Sequence, residues 1–452
     1  MSMQRYEQYI DSEIEWLGEI PAHWEIKRLK SIFSFGKGLN ITKENLINNG
    51  IPVINYGQVH SKFNTGTYVN NDIIKYVNED YLISNKKSLV HKNDFIFADT
   101  SEDLVGVGNC AFIDIESTIF AGYHSIILKA KDEDSKKYIA YLFLTDSWRF
   151  QIRSLVSGIK VYSITKAILS QTNVLFPPIQ EQEAIAKFLD TKCEQIDRAI
   201  AQKERVIELL NERRQIIIQR AVTRGLNPDV ELKDSGIDWI GEIPRHWEVK
   251  RLKSLFTFGK GLNITKENLQ DYGVPVINYG QIHSKLNNGT EINDKIMRYV
   301  SEEYLIKDQR SLVYKNDFIF ADTSEDIKGV GNCAFIDIDS NIFAGYHSII
   351  LKSKDKHNKK YLAYLFLTDC WRSQIRSLVS GIKVFSITKA ILSKSSVIYP
   401  FYSEQQEIAN YLDNISEKID KAISLKKEEI AKLKEYKQTL INSAVTGKIK
   451  IA

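Results

Sequence analysis

The 452-residue chain is one unit written twice. Trp16-Leu17-Gly18-Glu19-Ile20-Pro21 returns as Trp239-Ile240-Gly241-Glu242-Ile243-Pro244, a shift of 223 positions. The same shift carries Gly36-Lys37-Gly38 onto Gly259-Lys260-Gly261, Tyr123-His124 onto Tyr346-His347, and Ser157-Gly158-Ile159-Lys160 onto Ser380-Gly381-Ile382-Lys383. It runs without a gap to Ala221-Val222-Thr223, which lands on Ala444-Val445-Thr446. A duplication of this extent restricts the fold to two equivalent bodies, each large enough for a core of its own.

The copies are not equally alike along their length. Residues 16–170 and 239–393 agree at 118 of 155 positions, whereas 171–223 and 394–446 agree at 22 of 53, so different constraints act on the two stretches. In the first stretch, β-rich runs such as Pro52-Val53-Ile54-Asn55-Tyr56, Phe95-Ile96-Phe97-Ala98 and Ser125-Ile126-Ile127-Leu128 alternate with Gly- and Asn-rich turns. Tyr138 to Arg153 carries helical spacing. After Pro177-Pro178 the pattern changes. Ile185, Leu189, Cys193, Ile196, Ile200, Lys203, Ile207, Leu210, Arg214, Ile217 and Ala221 form the seam of a coiled coil. The second copy repeats it from Ile408 to Ala444, with basic residues again at two seam positions, Lys426 and Lys437.

Each seam predicts a helix of about 44 residues, roughly 65 Å long at 1.5 Å per residue. Ser403-Glu404-Gln405-Gln406 reads as a capping box opening the second. The predicted class is α+β: two near-identical domains separated by two long helices that form an antiparallel coiled coil, with pseudo-two-fold duplication. The boundaries expected are 1–176 and 225–399 for the domains, and 177–224 and 400–452 for the helices.

Composition narrows the function classes. No apolar run approaches the ~20 residues of a membrane helix and the start has no signal-peptide core, so a cytoplasmic protein is expected. Cys110, Cys193, Cys333 and Cys370 lack C-x-x-C spacing, which fits buried free thiols in a reducing compartment. There is no G-x-x-x-x-G-K-[ST] phosphate loop, no G-x-G-x-x-G after a strand, and no Pro-Pro-aromatic tetrad of an amino-methyltransferase. The acidic set Asp94, Asp99, Glu102 and Asp103, repeated as Asp317, Asp322, Glu325 and Asp326, has the chemistry for a divalent metal, but a loop rich in Asp, Thr and Ser is more simply a turn. Neither catalysis nor a bound cofactor or metal is expected of this chain.

What remains are loops suited to nucleic acid. A net charge of +4 says little, but residues 26–62 hold Lys27, Arg28, Lys30, Lys37, Lys43 and Lys62 against Glu44, and phosphate attraction needs only such a local patch. The candidate DNA contacts in the first copy are Lys37, Asn40, Lys43, Tyr56, Gln58, His60, Lys62, Ser101, Glu102, Asp103, Tyr123, His124 and Lys160. Their counterparts are Lys260, Asn263, Lys266, Tyr279, Gln281, His283, Lys285, Ser324, Glu325, Asp326, Tyr346, His347 and Lys383. Asn and Gln match adenine in the major groove, and Glu or Asp accepts from the cytosine amino group. Near-complete retention of these loops in both copies points to function, because packing alone tolerates loop drift.

Ile14-Glu15-Trp16-Leu17-Gly18-Glu19-Ile20-Pro21-Ala22-His23-Trp24-Glu25 resembles the opening motif of type I restriction–modification specificity subunits. Pro177-Pro178-Ile179-Gln180-Glu181-Gln182, with Ile185-Ala186, Leu189-Asp190 and Ile196-Asp197, resembles the domain-to-helix junction of the same family, and the second half repeats both, with Phe401 in place of the second proline. The resemblance implies a non-catalytic subunit whose two target-recognition domains each read half of a split site in double-stranded DNA. It implies helices that set the spacing and dock two methyltransferase subunits, with two restriction subunits completing a nuclease. S-adenosylmethionine, ATP and magnesium would then sit on those partners. A duplicated metal-dependent nuclease and a coiled-coil scaffold are the alternatives. Since the domains are nearly equal, a near-palindromic site is expected, with Thr65/Asn288, Tyr68/Glu291 and Val105/Lys328 as the pairs able to break its symmetry.

Overall fold

The computed structural model describes residues 4–451 other than 15, 16, 133, 159, 356 and 382; Trp16 of the opening motif and Ile159 and Ile382 of the Ser-Gly-Ile-Lys loops fall outside it. The chain forms two compact units, one of Met1–Lys203 with Lys427–Ala452, the other of Glu204–Lys426. The division runs through both long helices, so each unit holds one globular domain, the start of the helix that leaves it, and the end of the other helix.

In the first unit the domain is built on two four-stranded sheets. One is antiparallel, in the order Cys110–Phe112, Phe95–Ala98, Ser125–Ala130, Phe33–Lys37. The other is mixed, in the order Lys75–Val77, Ile51–Ile54, Ile119–Ala121, Leu89–Val90, with Phe120 opposite Val53 in a parallel pair. Phe95-Ile96-Phe97-Ala98 is buried on both faces, which explains why it reads as a continuous apolar run. Alternation sends Phe95 and Phe97 toward Phe143, at centroid distances of 5.0 and 5.3 Å, while Ile96 and Ala98 join Ile54, Ala121 and Ile127. The second unit repeats both strand orders, with Phe318 and Phe320 against Phe366 and Trp371. The four cysteines are free and buried.

Three local expectations are corrected. The segment Tyr138 to Arg153 is two helices, Lys137–Phe143 and Asp146–Arg153, because Thr145 accepts a hydrogen bond from the Trp148 amide and caps a new start. The strand at Pro52 ends at Ile54, and Tyr56–Val59 turns as a short helix. The second long helix begins at Tyr402, so Ser403 lies inside its first turn and is no cap. Gln405 instead donates to the Pro400 carbonyl at 2.8 Å.

The two motifs of the family resemblance meet here. Trp24 donates its indole N–H to Glu181 at 3.0 Å, Tyr6 donates at 2.9 Å, and His23 lies at 2.6 Å. Burial pushes the Glu181 carboxyl up, but the hydrogen bonds from His23, Trp24 and Tyr6 outweigh it and hold it below the usual Glu value. In the second unit Trp247 and His246 meet Glu404, both at 2.9 Å. These motifs anchor the helix to its domain.

The long helices span Ile179–Arg224 and Tyr402–Val445. Ile185, Leu189, Cys193, Ile196 and Ile200 are buried as the seam requires, but toward the helix end Ile218, Ala221 and Val222 carry the contact and Ile217 is only half-buried. Three of the four basic seam positions pair with acids on the other helix. Lys437 binds Asp197 at 2.6 Å and Lys203 pairs with Glu429 in the first unit; Arg214 pairs with Asp420 in the second. In the first unit the residue pairs run in opposite directions, so the segments are antiparallel, and polar seam contacts of this kind fix register. Tyr138 donates to the Val445 carbonyl at 2.8 Å, and its repeat partner Tyr361 donates to Val222 at 2.8 Å. Each domain thus grips the end of the helix that the other domain begins.

Candidate nucleic-acid interface

A cleft of about 670 Å³ opens on the second domain between the turn at Tyr279, the loop Thr323 to Gly329, His347 and Val384. Its counterparts in the first domain are Tyr56, the loop Thr100 to Gly106, His124 and Val161. The structure therefore brings Tyr279, His283, Ser324, Glu325, Asp326 and His347 to one place, and in the first domain Tyr56 packs on His60 and His124 at centroid distances of 6.4 and 5.4 Å. Lys260, Asn263, Lys266, Gln281, Lys285, Tyr346 and Lys383 do not line the cleft; Lys260, Asn263, Lys266, Lys285 and Lys383 are exposed outside it, as are Lys37, Asn40, Lys43, Lys62 and Lys160 in the first domain.

His124 and His347 stand at the cleft with φ of 52° and 53°, a left-handed conformation that costs a non-glycine residue of order 1–3 kcal/mol. Asp99 and Asp322 hold their rings at 3.2 and 3.3 Å, and Tyr56 and Tyr279 pack edge-on at centroid distances of 5.4 Å. The turn is backed by Gly38, where a Cβ would lie 1.9 Å from the Gly122 carbonyl, so only glycine permits the approach. Tyr123 and Tyr346 pack on the same tyrosines, and burial raises both phenols, keeping their O–H groups as donors. Both histidines remain exposed, at 59% and 57% of the side chain.

Other candidates are committed inside the domain. Arg149 Nη1 donates to Asn109 Oδ1 at 2.7 Å, Asn109 Nδ2 lies 3.1 Å from His60 Nδ1, and His60 Nε2 lies 2.8 Å from the Thr100 carbonyl. Arginine only donates, so the Asn109 oxygen faces it and the amide N–H₂ faces His60. Nδ1 must then accept and Nε2 must carry the proton given to Thr100. Arg372, Asn332, His283 and Thr323 repeat this relay at 2.8, 3.0 and 2.8 Å. Both ring nitrogens of His60 and His283 are therefore occupied, and neither histidine is free to contact a base.

Gln58 and Gln281 likewise accept from the Asn55 and Asn278 amides at 3.3 and 3.2 Å, which removes the oxygen that a bidentate adenine contact needs. Ser101 and Ser324 are buried and donate to Asp103 and Asp326 carbonyls at 2.7 Å. Asp103 and Asp326 use one oxygen on the Gly106 and Gly329 amides at 2.7 Å, leaving the other open; Glu102 and Glu325 are exposed. The acidic set does not converge. Asp94 is buried and accepts from the His91 and Ala130 amides, both at 2.9 Å, just before the strand Phe95–Ala98. No group of three or more His, Cys, Asp or Glu with metal-binding geometry occurs among the described residues.

What stays open at the cleft is an exposed His, one tyrosine and an acidic loop, and the same residues recur in the other domain. The family model of the type I restriction modification DNA specificity domain matches residues 21–209 and again 244–435. The chain belongs to this specificity family. It is 24% identical to the type I restriction enzyme MjaVIII specificity subunit of Methanocaldococcus jannaschii, over 99% of this chain and 98% of that one. It is 21% identical to the EcoKI specificity subunit of Escherichia coli, over 96% and 90%. Among solved structures, a chain from the work titled structural basis of complex assembly and conformational transition of the type I R-M system matches with TM-score 0.67 at 16% identity, covering 94% of this chain and 98% of that one. The HsdS subunit of Thermoanaerobacter tengcongensis matches with TM-score 0.53 at 16% identity, over 97% and 100%. The specificity subunit thus carries two family domains, each ending in a long helix, and no helix long and apolar enough to cross a membrane occurs among the described residues.

Proposed function

We propose that this specificity subunit reads double-stranded DNA without catalysing any step, one half-site per cleft. The long helices set the distance between half-sites and offer exposed faces, around Arg205, Arg213 and Glu428, to two methyltransferase subunits in the cytoplasm. S-adenosylmethionine belongs to those partners, and ATP and magnesium to restriction subunits where they join. The domain boundaries taken are 1–176 and 225–399, with the helices at 177–224 and 400–452.

The observation that carries the reading is the exchange of contacts: Tyr138 binds the helix end Val445 as Tyr361 binds Val222, and the two clefts share nearly all their lining. Two domains that agree at nearly every cleft position are proposed to read equal bases, giving an interrupted near-palindrome with an adenine methylated in each half. The test is to express the chain with its methyltransferase subunit and sequence the methylated sites. One half-site, a gap and its near reverse complement are expected; two unrelated half-sites would overturn the symmetry, and methyl transfer or magnesium-dependent cleavage by the purified chain alone would overturn the non-catalytic role.

A further inference from the structure

The repeat allows the two clefts to be compared residue by residue. Every residue lining the cleft of the second domain has the same residue 223 positions earlier, except Lys328, which corresponds to Val105. The other pairs able to break symmetry lie elsewhere. Thr65 and Asn288 each close the same tight turn, accepting from the amides of Tyr68 at 3.2 Å and Glu291 at 3.1 Å, and none of these four is placed at the cleft.

At position 105/328 the backbone is clamped identically. Arg153 donates to the Val105 carbonyl at 2.8 Å and Arg376 to the Lys328 carbonyl at 2.9 Å. Only the side chain differs, and both are exposed. The Lys328 ammonium has no salt-bridge partner among the described residues, although Glu325 and Asp326 line the same cleft.

We propose that Lys328 is a specificity-determining residue that makes the two half-sites differ at one base pair, a proposal resting on the half-site reading above. A G·C pair presents the guanine O6 and N7 acceptors beside the cytosine amino donor in the major groove. Lysine suits the first and a carboxylate the second, so Lys328 with Glu325 or Asp326 matches both bases of one pair. The neighbouring carboxylates disfavour a phosphate at this point. The first domain keeps Glu102 and Asp103 but offers Val105, which has no donor for guanine and fits a thymine methyl instead. The second half-site therefore demands G·C where the first does not.

The test uses the full chain with its methyltransferase subunit and three forms: wild type, Lys328→Val and Val105→Lys. In wild type the two half-sites agree except at one position, with G in the second. Lys328→Val relaxes discrimination there by about ten- to a hundredfold and leaves every other position unchanged. Val105→Lys imposes G on the first half-site and makes the motif fully palindromic. A wild-type motif already fully palindromic, or one unmoved by both substitutions, overturns the proposal. So does uniformly weaker binding with a salt slope lowered by about one and the motif intact, which marks a phosphate contact. Unrelated half-sites in wild type overturn the half-site symmetry itself, a different result from any of these.

Discussion

The globular stretch and the helical stretch of the repeat diverged to different degrees, and the structure gives each a different reason. In the helices, most identities fall on buried seam residues and on acids with work to do. Asp190 and Asp413 accept from Tyr141 and Tyr364 at 2.6 Å, Asp197 and Asp420 pair with Lys437 and Arg214, and Glu181 and Glu404 hold the tryptophan joints. Exposed helix positions drifted, as where Arg205 faces Glu428 in the alignment. Packing accounts for most of that pattern. In the domains, identity extends to exposed loops such as Glu102-Asp103 and His124, which bury nothing and even hold a strained φ. Packing does not require that; a shared ligand does.

The largest test breaks the helices while sparing the domains. Deleting 203–209 together with 426–432 removes one heptad from each helix and keeps Arg214 with Asp420 and Lys437 with Asp197 in register. The rod shortens by roughly 10 Å, about three base pairs of rise. Methylome sequencing should return the same half-sites around a shorter gap, and an unchanged gap in an active deletion would refute the ruler.

An intermediate test breaks one cleft and not the other. His60→Ala leaves the Asn109 amide and the Thr100 carbonyl without their partner, a loss of about 1–3 kcal/mol. Chemical denaturation should register it, and methylation should lose fidelity in the first half-site alone. Equal loss in both halves would mean that the relay serves the whole fold and not its own cleft.

The smallest effect is at the joint. Because the Glu181 carboxyl is held below its ordinary value, the folded state binds fewer protons than the unfolded one in acid. That contribution is complete above the unfolded Glu value and disappears as pH falls through the folded one. Glu181→Gln should lower stability at pH 7 by about 1 kcal/mol and flatten the acid limb of the stability profile. A profile parallel to wild type would show that the joint does not depend on the charge.

Much of this protein was legible in sequence because the signals are periodic or repeated. The 223-residue shift, the α+β runs, the seams from Ile185 and Ile408, and the paired family motifs need no distant partner to be read. The tertiary structure alone decided which polar residues are still free. Hydrogen-bonding capacity is finite, and the groups that consume it are far away in the chain. His60 is filled by Asn109 and Thr100, 49 and 40 residues on, and Glu181 by Trp24, 157 residues back. Lys203 and Arg214 looked out of place on an apolar seam until the other helix supplied Glu429 and Asp420. A sequence states what a side chain can donate or accept; only the fold, by bringing those partners within 3 Å or so, decides what is left for DNA.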